Sequence, residues 1–397
     1  MESIADRNHH TMSDTLFFIS YGIYLAAGIL SSTFYFQYYK GWLYNLILVG
    51  CLLLLLIREI EKDKIKFSLI PLLLLTCFLS LIMLKNGPNK YTFWLLIYIF
   101  CARDINFRKI ARFTWILSSI VFLLIIVSSQ LGIIRDYYDY WSGRTRHYLG
   151  FLYPLYPSTV MFNITALYIC DKHKNISWFA LMILAGINYF LYSLTDSRLC
   201  FITACIIILI AVVMKLCPTI LNHMKIISFL MIASFPLGFM ISYFGTVLYR
   251  PYGLMNRLNN ILGGRLELGQ RSIKEYGSSL FGQRIEWIGN GLSAEGTKST
   301  AEYNFVDSLY LQVFLRYGLI FSIIAIVILT MVLVYFYQNK EFLLLALFSV
   351  LAVHAIIDNL IFYLHYNTFW LAIGSALCCI AEKRRGESTA FICHRNL

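Results

Sequence analysis

Long apolar runs separated by short polar turns set the pattern of this chain. Leu52-Leu53-Leu54-Leu55-Leu56 and Pro71-Leu72-Leu73-Leu74-Leu75 are the densest of them. A helix that crosses a membrane needs roughly 20 mostly apolar residues, because each residue rises about 1.5 Å through a hydrocarbon layer about 30 Å thick. Uncharged stretches of that order recur at residues 15–37, 42–57, 67–84, 113–133, 151–170, 176–194, 199–214, 226–248, 317–339, 342–357 and 359–381. A shorter apolar stretch at 91–102 reads as a further crossing, sealed by its neighbours. The pattern predicts an all-α, polytopic integral membrane protein, one domain over residues 1–397, with about twelve transmembrane helices or eleven without the short stretch. Ten-residue units of alternating apolar and polar residues are missing, which argues against an outer-membrane barrel.

Two polar segments interrupt this pattern. Residues 132–150 hold Tyr137, Tyr138, Tyr140, Trp141 and Tyr148 together with Arg135, Arg144, Arg146 and His147. Residues 249–304 form a longer segment, rich in glycine and carrying Arg250, Arg257, Arg265, Arg271, Lys274, Arg284 and Lys298. Polar loops of that length are usually functional or disordered. The amphipathic stretch 266–280 reads as a helix lying on the surface.

Composition removes the soluble alternative, since 59% of residues are hydrophobic and only 14% charged. Lys and Arg gather in the turns Arg58–Lys66, Arg103–Arg112 and Lys383–Arg385, which places those turns and both termini on the cytoplasmic side. Both long polar segments then face outward. The first span has a weakly charged leader and reads as an uncleaved anchor. The ten cysteines form no CxxC pair. A net charge of +12 with no soluble basic domain suits anionic lipid headgroups and leaves no platform for nucleic acid.

Arginines on the outer side run against the usual inward bias of cations, so they ask for a ligand. A guanidinium stays charged and grips phosphate oxygens two at a time, which points to a lipid-linked phosphate. No dense carboxylate cluster stands ready for a divalent metal.

Several short motifs follow in order: Thr195-Asp196-Ser197-Arg198, Asn260-Ile261-Leu262-Gly263-Gly264-Arg265, Leu280-Phe281-Gly282-Gln283, Val306-Asp307-Ser308-Leu309-Tyr310-Leu311 and Arg316-Tyr317-Gly318. Together they resemble the Wzy-type polysaccharide polymerases of capsule and O-antigen assembly, in a superfamily with the O-antigen ligases. The resemblance runs from about Phe113 to the C-terminus. It implies a GT-C-like fold and a reaction at the outer face of the membrane. There a glycan on undecaprenyl diphosphate moves onto the terminal hydroxyl of a lipid-linked repeat unit. Neither a nucleotide sugar nor a metal or other cofactor is implied. Membrane lipids, a flippase and a chain-length regulator are the expected partners. One departure stands out: the ligases carry a histidine near the start of the span after the long loop, where this chain reads Asp307-Ser308.

On this reading Arg198, Arg265 and Asp307 are the catalytic candidates, the arginines clamping diphosphate and Asp307 acting as base. Arg257, Arg271, Arg284, Arg316 and Tyr310 are candidates for substrate binding. Each has a plainer alternative. Arg198 can pair with Asp196, Arg265 can sit solvated beside a glycine turn, Asp307 can cap a helix, and Arg316 can pair with Asp358. His354 and His365 read as helix contacts, and the aromatic residues near 137–141 as an interfacial belt. Across function classes, the competing reading is a lipid-linked oligosaccharide flippase, which would show two similar halves and cations lining a cavity inside spans.

Overall fold

The structure, a computed structural model, describes residues 4–62, 69–87, 92–141, 144–217 and 224–384. It is mostly helical. Six helices are long and apolar enough to cross a membrane: Met12–Ser31, Trp42–Glu61, Phe107–Gln130, Trp178–Thr195, Arg198–Leu216 and Leu309–Gln338. Lys225–Ile232 and Ser234–Val247 form a seventh element, bent by 59°. Large apolar side chains stand exposed around these helices, among them Leu53, Leu123, Leu209, Ile226 and Phe229. A water-soluble surface does not tolerate so broad an apolar belt, whereas lipid does.

Several expected spans take a different form. Residues 91–102 contain a helix of only 8 residues, Trp94–Cys101, too short to cross by itself. Residues 317–339 are part of a longer helix, Leu309–Gln338, that is broken at Gly318 (φ 90°, ψ 175°). Residues 359–381 are not one helix: two 3-10 turns, Leu360–Phe362 and Thr368–Trp370, lead into Leu371–Arg384. In 91–102 and 359–381 most apolar residues are packed against protein, where hydrophobicity alone cannot distinguish a helix from a turn. The Leu155–Lys172 helix is buried on nearly every side and forms the centre of the bundle.

The two ends of the bundle are chemically distinct. At one end Arg58, wholly buried, donates to Glu59 (2.6 Å), Asp104 (2.7 Å) and the carbonyl of Ser13 (3.3 Å). Arg103 grips Glu59 through both nitrogens (2.6 and 3.1 Å), and Arg112 meets Asp171 (2.9 Å). A buried cation persists when its donors are matched in this way.

At the other end the polar segments come together. Residues 132–150 contain a two-stranded antiparallel hairpin, Tyr138–Trp141 with Arg144–His147, which with two isolated bridges departs from an all-α chain. Lys298 of the long segment binds Asp139 of the hairpin at 2.7 Å, and Leu292 N–H donates to Leu152 O at 2.9 Å. The long segment itself holds two helices, Gly253–Ile261 and Arg265–Tyr276, where one amphipathic helix was expected.

Candidate active site

The site begins with the turn that aims Arg265. Gly263 and Gly264 both take positive φ (66° and 83°), a region closed to most side chains, and this lets the chain reverse between the two helices of the long segment. Asn259 secures the reversal. Its Oδ1 accepts from Leu266 N (3.0 Å) and Glu267 N (3.2 Å), satisfying two free N–H groups at the start of Arg265–Tyr276. Its Nδ2 donates to the Tyr249 hydroxyl (3.2 Å). Arg265 is thereby placed at the first helical position, where its Nη1 donates to Leu262 O (2.8 Å) and its Nε lies 2.8 Å from Asp307 Oδ2.

Asp307 lies just before the Leu309–Gln338 helix, at the point where the long segment rejoins the bundle. The plainer reading made it a helix cap. Instead the N-cap is Ser308, whose side chain makes no capping bond, and Leu309 N–H donates to Ala355 O at 2.9 Å. Asp307 turns to Arg265. Burial pushes its carboxyl up to about 6, against the pull of Arg265, with Asp358 adding to the rise. A carboxylate kept only for a stabilising ion pair sits below its usual value. This one sits above it.

Around the pair lie groups that distant parts of the chain supply. The Tyr153 phenol is within electrostatic reach of Asp307, Arg146, Arg265 and Asp358. Tyr303 feels Asp307, Tyr153 and Arg265, and burial pushes its phenol up. Arg146, on the second hairpin strand, donates through Nε to Thr195 O at 2.9 Å. It therefore ties the hairpin to the Thr195-Asp196-Ser197-Arg198 turn, in which Ser197 Oγ also donates to Pro154 O at 3.2 Å.

The remaining expected residues fall into different places. Arg198 is exposed and reaches Asp196 in its own turn (3.4 Å), the plainer of its two readings. Arg257 is exposed, Arg271 meets Glu302 (3.4 Å) and Arg284 meets Glu286 (3.8 Å), all on the solvated side of the long segment. Tyr310 points into the core, its hydroxyl donating to Ala352 O (2.8 Å). Arg316 is buried and does not take Asp358 as its partner. Its Nη2 donates to Ile285 O (3.0 Å) and its guanidinium lies over the Trp287 ring (5.8 Å), so it anchors the returning loop. Asp358 pairs instead with His354, Nε2 to Oδ2 3.1 Å.

Sequence reasoning missed Arg146 and the His354–Asp358 pair as members of this neighbourhood. For the histidine a signal existed in the i,i+4 spacing, which sets two side chains on one helical face. For Arg146 none existed, because its place depends on how a hairpin packs against a distant turn. Cys200, His354 and Asp358 also bring potential ligand atoms within 4.8 Å of one another, a cluster spread too widely in sequence to be seen there.

No protein-family model matches this chain, and no curated protein or solved structure does either.

Proposed function

We propose that this protein is a plasma-membrane glycosyltransferase that joins undecaprenyl-diphosphate-linked oligosaccharide repeat units into capsular, exo- or O-antigen polysaccharide. One observation carries the reading: the Asp307 carboxylate stands at 2.8 Å from the Arg265 guanidinium where a long polar segment rejoins an apolar bundle. A base near neutrality beside a fixed cation suits attack by a sugar hydroxyl on a carbon whose leaving group is a diphosphate. In that reaction the acceptor hydroxyl loses its proton to Asp307, a new glycosidic bond forms, and the bond to diphosphate breaks. In this reading Arg265, and Arg146 beside Tyr153, balance the negative charge that develops on the leaving group. The motifs resembling Wzy-type polymerases supply the substrate class, and a GT-C-like architecture belongs to the same proposal.

Twelve crossings follow if five shorter apolar helices join the seven longer elements. These are Ile70–Asn86, Trp94–Cys101, Leu155–Lys172, Phe342–His354 and Leu371–Arg384. Both termini are then cytoplasmic and the Arg265–Asp307 end faces outward, in line with the cations of the short turns. Topology is checked by cysteine labelling in intact cells. A cysteine replacing Ser293, in the long segment, reacts with an impermeant reagent. One replacing Ser388, which lies outside the described residues, does not. Labelling at 388 alone reverses the orientation.

The decisive experiment is a deletion strain scored for surface glycan length. Single repeat units on exported lipid support the polymerase, whereas a failure to export any unit assigns the chain to the flippase class.

Geometry also ranks the arginines. Arg146→Ala lowers polymer yield at least tenfold, because Arg146 lies among the groups around Asp307 and holds the hairpin to its neighbouring turn. Arg198→Lys, at an exposed ion pair worth at most about 1 kcal/mol, keeps most of it. Gel analysis of glycan length in complemented deletion strains measures both. Equal loss in the two variants returns Arg198 to the diphosphate clamp.

A further inference from the structure

Cys200, His354 and Asp358 are buried together where the Arg198–Leu216 helix begins and the Phe342–His354 helix ends. One potential ligand atom from each lies within 4.8 Å of the other two. Nitrogen and oxygen bound tetrahedrally to zinc stand roughly 3.3 Å apart, and sulfur stands roughly 3.6 Å from either. His354 Nε2 and Asp358 Oδ2 are already 3.1 Å apart. The cysteine side chain closes the triangle with a shift of about 1 Å at most.

The far atoms of two ligands are held from behind. Asp358 Oδ1 accepts from Leu360 N at 2.9 Å, which leaves Oδ2 for the centre of the cluster. His354 is stacked on Phe162 with ring centroids 5.0 Å apart, and its Nδ1 lies 3.1 Å from Thr203 Oγ1. Thr203 can donate its hydroxyl hydrogen to Leu199 O (2.8 Å) and accept from Nδ1–H, an arrangement that frees Nε2 for a metal. Partners behind the ligands orient metal-binding histidines and carboxylates in this manner.

Charge asks for the same ion. Asp358 is 6% exposed, and among the described residues no lysine or arginine pairs with it; its ion-pair partner is His354. A buried carboxylate is costly without a matching cation. Thiolate, carboxylate and neutral imidazole together carry two negative charges, so a divalent ion leaves the filled site neutral. Sulfur, imidazole nitrogen and a single carboxylate suit zinc, whereas magnesium and calcium take oxygen ligands.

We propose that Cys200, His354 and Asp358 bind one zinc ion that staples the Arg198–Leu216 helix to the turn after His354. The site is structural, since all three side chains are buried. On binding, zinc replaces the thiol hydrogen of Cys200, which leaves as a proton. A water completes four-coordination, as in other zinc sites with three protein ligands. The stapled turn meets the helix start that follows Asp307: Leu309 N donates to Ala355 O (2.9 Å) and Asn359 Nδ2 to Gln312 Oε1 (3.2 Å). The site does not depend on which reaction the protein performs, and the Wzy-type resemblance implies no such ion.

Metal content supplies the test. Full-length protein in nanodiscs, carrying a purification tag without histidine, is loaded with zinc, freed of excess by gel filtration and measured by plasma mass spectrometry. About one zinc per chain is expected. Cys200→Ser, His354→Gln and Asp358→Asn each lose most of it, whereas Cys205→Ser, at an exposed cysteine of the same helix, keeps it. A strong chelator lowers the wild-type thermal midpoint by several degrees, and added zinc restores it. Zinc well below one per chain after loading overturns the site, as does full occupancy in both Cys200→Ser and Asp358→Asn, which puts the ion elsewhere. Should the variants fail to fold, X-ray absorption at the zinc edge of the wild type decides. One sulfur at about 2.3 Å with nitrogen or oxygen at about 2.0–2.2 Å is required, and a shell without sulfur overturns the proposal.

Discussion

Gly282→Ala and Gly318→Ala each sharply reduce the yield of folded protein. Gly318 interrupts the Leu309–Gln338 helix at φ 90° and ψ 175°, a conformation open almost only to glycine. A break of this kind frees backbone groups that lipid cannot satisfy. The loop at 279–283 satisfies them: Gln283 N donates to Arg316 O (2.9 Å), Leu319 N to Ser279 O (2.9 Å) and Ile320 N to Leu280 O (3.1 Å). The contact is so close that a Cβ on Gly282 would stand 2.2 Å from Arg316 O, and one on Gly318 2.3 Å from Gly282 N. Neither obstruction is the end of a flexible side chain, so the backbone itself must move. Left-handed strain of about 1–3 kcal/mol adds to the loss of the three bonds. Thermal midpoints in detergent, read by fluorescence-detected gel filtration, fall by many degrees or the monodisperse peak disappears. Gly186→Ala, in the middle of Trp178–Thr195 with open space at its Cβ, leaves the peak intact. Alanine at 282 and 318 with wild-type midpoints would mean that this loop does not dock on the broken helix.

On the proposed polymerase reading, Arg265→Lys and Asp307→Asn lose polymer while the protein still folds. Lysine keeps the charge at 265 but has neither the Nε that reaches Asp307 nor a planar fork for two phosphate oxygens. Asparagine at 307 keeps the size and removes the proposed base, and a positioned base contributes about 10²–10⁴ in rate. The pH profile separates this from a structural effect. Polymerisation falls as pH drops through about 6, where Asp307 takes up its proton. Stability moves the other way. The folded value lies above the ordinary carboxylate value of 3.8, so ionisation costs stability at neutral pH, and acidification through about 6 relieves that cost. Asp307→Asn is therefore expected to unfold at a temperature no lower than wild type. Normal polymer from Asp307→Asn would leave the proton to another acceptor and catalysis to the arginines.

The two results concern different kinds of residue, and the chain discloses them unequally. Apolar run length alone places the helices at Trp42–Glu61, Phe107–Gln130, Trp178–Thr195 and Arg198–Leu216, because lipid-facing segments must be apolar over their whole length. Glycine pairs and arginine spacing mark Arg265 and its turn, since local backbone geometry there depends on residue type within a few positions. The raised cost of a lone carboxylate next to apolar residues marks Asp307 for the same reason. Where segments pack on protein, run length stops being informative. Residues 91–102 and 359–381 are as apolar as any span, yet become a short helix and a pair of turns leading into Leu371–Arg384, with Thr368 N held by Asn163 Oδ1 of a distant helix.

Contacts between distant positions belong to the tertiary structure alone. Arg316 and Asp358 looked like partners because both lie at the edges of apolar runs. Packing gives Arg316 to Ile285 O and Trp287, and Asp358 to His354. The break at Gly318 acquires its role only from the loop at 279–283. Arg146 enters the neighbourhood of Asp307 only because a hairpin folds onto the turn at 195–198. Residue chemistry near in sequence is enforced by short-range sterics and solvation, and is legible there. The charge that surrounds a base is summed over whatever the fold brings near, and only the folded chain specifies that sum.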